Sequence, residues 1–112
     1  MAKVEIILPL FKEIQKKFKG EAHKIIDLLE SLENNPKKGK FLGNAVGMAI
    51  KELKYKNFRF YFITDGYKLK LMDEESLTDL LMKFVRMSDK KYQQETINEI
   101  KNILIRLGPS GF

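Results

Sequence analysis

The sequence predicts a single α+β domain in which an N-terminal strand and a helical hairpin pack on one face of a small antiparallel β-sheet, with a C-terminal helix. Three observations predict it. Apolar residues recur at helical spacing over residues 10–33 and again after residue 90. Between these stretches lie short segments rich in aromatic and β-branched residues, divided by turn signals. The chain of 112 residues suits one domain and leaves little room for a second.

Taken in order, residues 3–8 (KVEIIL) form a first strand, and Pro9 fits the opening turn of a helix. Leu10, Phe11, Ile14 and Phe18 make its apolar stripe, and Gly20 closes it. A second helix spans about 21–33, with Ala22, Ile25, Ile26, Leu29 and Leu32 on its buried side. Almost nothing joins the two helices, so they form an antiparallel hairpin. Asn34-Asn35-Pro36 ends it, and residues 37–48 read as a glycine-punctuated loop. Strands follow at 49–55 and 58–64, joined by a turn at Lys56-Asn57. Asp65-Gly66 is the strongest hairpin signal and leads to a strand at 67–72. The acidic segment Asp73-Glu74-Glu75-Ser76 interrupts, and 77–87 reads mainly as a further strand, with a helix over 77–83 as the competing assignment. A helix from about 90 to 107 follows, capped by Ser88 or Asp89, with Ile97, Ile100, Leu104 and Leu107 on one side and Gly108-Pro109 as its stop.

Composition bounds the chemistry. Apolar residues are 44% and charged residues 32% of the chain, as in a folded domain rather than a disordered one. There is no cysteine, which removes disulfides, thiolate metal sites and cysteine nucleophiles together. The N-terminus lacks the order of a signal peptide and no apolar run approaches a membrane span, so a cytoplasmic location without membrane contact is expected. No phosphate-cradling or dinucleotide glycine motif occurs, no ligand cluster has metal spacing, and no cofactor is expected. His23 sits on the polar side of the second helix as an ordinary solvated residue. The net charge of +6 makes a polyanion or an acidic protein a reasonable partner. Arginine is the more informative cation because only Arg59, Arg86 and Arg106 occur.

Strand alternation decides which side chains meet. Phe58, Phe60 and Phe62 point to one face, the core under the helical hairpin, and Arg59, Tyr61 and Ile63 to the other. An arginine in mid-strand beside aromatic residues is costly without a partner or ligand. With Leu53 facing the core, Glu52 and Lys54 join Arg59 on a face expected to be free of helices. Alternation in the last strand puts Phe84 and Arg86 on one face and Val85 and Met87 on the other. The expected patch is Glu52, Lys54, Arg59 and Arg86, with Tyr61 and Phe84 beside it. A surface salt-bridge lattice of Glu52 with Lys54 and Arg59 is the bland alternative.

Three stretches resemble a known family. Residues 35–44 (NPKKGKFLGN) are similar to the NP…GK-x-L-G loop of RelE/HigB/ParE toxins. Ile50-Lys51-Glu52-Leu53-Lys54 followed by Phe58-Arg59-Phe60-Tyr61-Phe62 resembles their central strand pair, and residues 83–92 (KFVRMSDKKY) resemble the closing strand and signature of HigB-type members. The similarity covers nearly the whole chain in the same element order. It implies the toxin of a toxin–antitoxin pair: a metal-independent, ribosome-dependent mRNA endonuclease, with the ribosome and mRNA as targets and a cognate antitoxin covering the same basic surface. By position, Arg59 resembles the family's phosphate-binding arginine, Arg86 the cation ending the last strand, and Tyr92 the tyrosine that stacks on a base. The lysine pair that RelE carries before its middle strand is replaced here by Ile50 and Glu52.

Metal-free cleavage of RNA needs a base for the 2′-hydroxyl, cations on the phosphorane and an acid for the leaving oxygen. The resemblance gives the base role to Glu52 or Lys54 and the phosphate grip to Arg59 and Arg86, whose planar forks suit it. A lysine base would need its pKa lowered by neighbouring arginines. Tyr92 would stack on a base. Lys40, Lys56, Lys90 and Lys91 would hold the RNA backbone by charge. Two alternatives stay open: a ParE-like poison of DNA gyrase that cuts nothing, and a degenerate member that keeps only a binding surface.

Overall fold

A computed structural model of the chain describes residues 2–66 and 80–112. The expected strand at 67–72, the acidic segment at 73–76 and the start of the 77–87 segment lie outside the described residues. The elements are β1 (Lys3–Ile6), α1 (Leu8–Phe18), α2 (Ala22–Glu30), β2 (Lys40–Ala45), β3 (Met48–Tyr55), β4 (Phe58–Asp65), β5 (Leu81–Asp89) and α3 (Gln93–Leu107). They form the expected α+β fold, with the sheet order β1-β5-β4-β3-β2. The sheet is mixed rather than purely antiparallel. β1 runs parallel to β5, with Lys3 opposite Leu81 and Ile6 opposite Phe84, while every other pair is antiparallel. The first strand thus closes one edge through a crossover that contains the helical hairpin.

The hairpin face forms as alternation requires. α1 carries Pro9 in its first turn, and Leu10 and Ile14 are buried. α2 buries Ala22, Ile25 and Leu29, and the 3-10 turn after it buries Leu32. These side chains join Phe60, Phe62 and Phe84 in one apolar cluster. Phe18 meets the ring of Phe58 edge-on at 5.1 Å between centroids, and that of Tyr55 at 6.4 Å.

Four expectations change. First, the glycine-punctuated stretch 37–48 contains β2, paired with β3. Its two-residue turn is Val46-Gly47, with φ of 47° and 80°. Hairpins of this kind favour positive φ at both central residues, a role usually given to Asn-Gly, so a β-branched residue hides the turn. Second, the register of β4 with β5 shifts between Tyr61↔Arg86 and Phe62↔Phe84, leaving Val85 as the extra residue of a bulge. Phe84 therefore shares the hairpin face with Phe62, and Arg86 the opposite face with Tyr61; they do not share one. Third, that opposite face is not free of helices, because α3 lies over it. Gln93 bonds Glu52, and Glu99 pairs with Arg86, both members of the cross-strand row Glu52–Tyr61–Arg86. Fourth, α3 buries Ile97, Ile100 and Leu104, but Leu107 is 60% exposed. Its close neighbour is Gly111 of the final turn.

Candidate functional site

β3 and β4 run antiparallel with Lys54 opposite Arg59, and β4 with β5 has Arg59 opposite Ser88. Directly opposite residues share a face, so this row lies next to the Glu52–Tyr61–Arg86 row. After β5, Asp89 accepts the Tyr92 backbone N–H at 3.2 Å and caps the 3-10 turn Lys90–Tyr92. That cap brings Lys90 and Lys91 round to the Arg59 end of the sheet. The result is a pocket of about 250 Å³ lined by Lys54, Asn57, Arg59, Asp89, Lys90 and Lys91. Three lysines and an arginine meet one wall carboxylate there.

Arg59 is the buried member, at 9% exposure. Its Nε lies 3.6 Å from Glu52 Oε2, within ion-pair range but without hydrogen-bond contact, and has no hydrogen-bond partner among the described residues. Glu52 is itself 7% exposed, and its Oε2 accepts from Gln93 Nε2 at 3.2 Å. Buried charges are tolerated when paired and hydrogen-bonded, and this pair falls short by one bond.

Tyr61 stands behind the pair. Its hydroxyl lies 2.7 Å from Ser88 Oγ, and Ser88 donates to the Asp89 carbonyl at 2.9 Å. The serine hydrogen is thereby committed, so Tyr61 donates to Ser88. Burial pushes the Tyr61 phenol pKa up, against a smaller opposing effect of the Ser88 bond.

The site residues expected from the sequence divide into two groups. Lys54, Arg59, Lys90 and Lys91 come together at the pocket, with Glu52 behind Arg59. Arg86 is directed elsewhere. Its Nε donates to Glu99 Oε1, another nitrogen donates to the Val85 carbonyl at 2.7 Å, and its guanidinium lies 5.3 Å from the Phe112 ring centroid. The C-terminal helix and the final residue hold it away from the pocket lining, although it leaves the sheet on the same face as Arg59. Tyr92 is 47% exposed with the Lys91 ammonium 5.5 Å from its ring, and it does not line the pocket. Lys56 is occupied by Glu21 at 2.7 Å, which raises the lysine pKa and lowers that of the glutamate through their hydrogen bond. Lys40, exposed on β2, stands opposite Glu52 in the ladder.

Gln93, Asn57 and Ser88 had no place in the expected site. Gln93 carries no signal of its own in the sequence, and only the docking of α3 brings it to Glu52. Among the described residues no cluster of His, Cys, Asp or Glu could hold a metal ion. No helix among them is long and apolar enough to cross a membrane. No family model, curated protein or solved structure matches the chain.

Proposed function

We propose that the chain is a toxin of the RelE/HigB kind that binds the mRNA backbone at the Arg59 pocket and cuts it on the ribosome, held in check by a partner antitoxin. The observation that carries this reading is Arg59 itself, nearly buried at the floor of a lysine-walled pocket with its Nε unsatisfied. Arg59 lines the pocket with its Nε turned to Glu52, and a guanidinium fork is suited to the two oxygens of a phosphodiester. The surrounding lysines add charge without geometry, which fits a backbone better than a base edge.

In the proposed reaction Arg59, Lys90 and Lys91 hold the scissile phosphate. Glu52 takes the 2′-hydroxyl proton as O2′ attacks phosphorus. The P–O5′ bond breaks, and Lys54 at the mouth protonates the departing O5′. Cations at the phosphate stabilise the charge of the phosphorane. The products are a 2′,3′-cyclic phosphate and a 5′-hydroxyl. Arg86 has no part in this scheme.

The test is end-mapping of a translated, labelled mRNA with the purified chain. Cuts bearing those two end groups, unaffected by a chelator and slowed at least about 100-fold by Arg59→Met, are expected. Arg59→Met cutting at the full rate would overturn the assignment. Backbone binding without any cut would favour the binding-only alternative, to which the diversion of Arg86 toward Glu99 already lends an argument.

A further inference from the structure

We infer that Gln93 is a positioning residue that holds the Glu52 carboxylate off Arg59 and thereby keeps the guanidinium available to a phosphate. The inference rests on the phosphate reading of the pocket and adds to it the device that sets its strength. Two buried, oppositely charged groups stand 3.6 Å apart, one of them with an unsatisfied Nε. Closing by about 0.7–0.9 Å would give a normal charge-assisted bond, for which distances of about 2.7–2.9 Å are usual. An open donor at this burial is a standing cost, so something must oppose closure.

The opposing contact is on the same oxygen. Glu52 Oε2 accepts from Gln93 Nε2 at 3.2 Å. A carboxylate only accepts, so the Gln93 amide must turn its NH2 toward it. Gln93 opens α3, whose Ile97, Ile100 and Leu104 are buried, so the docked helix fixes the backbone position from which the amide reaches Glu52. Glu52 and Arg59 sit on adjacent rows of one sheet face, Glu52 opposite Tyr61 and Lys54 opposite Arg59, a diagonal over which long side chains can still meet. Without the amide, the shared oxygen has one buried partner left to approach, and that partner is the phosphate grip.

The consequence has a sign. Removing the amide donor brings Glu52 onto Arg59 and neutralises the pocket floor, so anion affinity falls although no cation is removed. Gln93→Met keeps the length of the side chain and deletes the donor. Binding is read with a fluorescent 2′-deoxy oligonucleotide, which the proposed reaction cannot cut. Gln93→Met is expected to weaken binding about tenfold, the order of one charge-assisted hydrogen bond. In a Glu52→Gln background the same substitution should change nothing, because Gln93 acts through the carboxylate. A role in packing alone would give the same loss in both backgrounds.

A second measurement does not depend on nucleic acid. The Arg59 Nε–H resonance should move downfield and exchange more slowly in Gln93→Met, as the bond to Glu52 forms. Equal oligonucleotide affinity in wild type and Gln93→Met would overturn the inference and leave the phosphate site standing. Failure of the wild type to bind would remove the phosphate site instead. The Nε–H resonance then decides on Gln93 alone: an unmoved signal overturns its role, and a moved one supports it.

Discussion

The two faces of β4 are equally dry and differently built. Phe60 and Phe62 on one face and Tyr61 and Ile63 on the other are all at 0–1% exposure. On the hairpin side, burial is apolar contact: phenylalanines of β4 and β5 against the stripes of α1 and α2. On the α3 side, only the row with Ile50 and Ile63 is apolar on both strands, and the next two rows carry Glu52, Tyr61, Arg86, Lys54 and Arg59. Among the described residues, one helix covers that side where two cover the other. Polar groups enclosed there need partners one by one, and at Arg59 the partners run out. The hairpin side of the sheet thus rests on apolar packing, and the α3 side on individual polar contacts.

The largest test of this contrast is Phe60→Ala. It removes a fully buried ring from the hairpin face and should cost about 3–5 kcal/mol in urea unfolding. A loss below about 1 kcal/mol would mean that the apolar face does not dominate stability.

A middle-sized effect comes from the other face. Tyr61→Phe keeps the ring and deletes the donor to Ser88, and should cost about 1 kcal/mol. Burial raises the phenol pKa above its ordinary 10.0, so the folded state binds that proton more tightly than the unfolded one. Wild-type stability therefore falls as pH climbs past 10.0 toward the folded value, and the part of the fall owed to this phenol should vanish in Tyr61→Phe. Identical alkaline limbs in the two proteins would refute this account.

The smallest effect sharpens the contrast, because it concerns a charge on the apolar face. Lys51, 6% exposed, donates to the Lys37 carbonyl at 3.0 Å and lies opposite Phe62. Burial lowers its pKa from 10.5. The unfolded chain holds this proton more tightly, so the lysine makes wild-type stability rise as pH climbs through the folded value toward 10.5. Lys51→Met should lack that rise, measured as the difference in slope of stability against pH. Equal slopes would show that the ammonium reaches water.

What the sequence revealed follows from which signals are local. Ile14, Ile25, Leu29 and Ile100 fall on stripes of period 3.6, and each stripe is buried as its spacing requires. The interior place of Arg59 was legible because three phenylalanines alternate with it. The bulge at Val85 was not, since a slip between two adjacent apolar residues leaves no mark on an apolar–polar pattern. β2 was hidden by its glycines and by a valine where Asn is usual. The cover that α3 gives the second face was implied by its own stripe, because Ile97, Ile100 and Leu104 need a surface to bury against. The capture of Arg86 by Glu99 and Phe112, and the contact of Gln93 with Glu52, join residues distant in the chain, and no spacing rule reaches them.

β1 is synthesised before its sheet neighbour, and it cannot take its place until Leu81–Phe84 have left the ribosome. A nascent chain carries its helical hairpin and a lone strand without a sheet edge to join, and such non-local closure is slow. The rim of the pocket arrives later still, with Lys90 and Lys91. A product truncated before that point has Glu52, Lys54 and Arg59 on β3 and β4 but no complete cavity. Translation order alone therefore withholds the pocket until Lys91 has emerged.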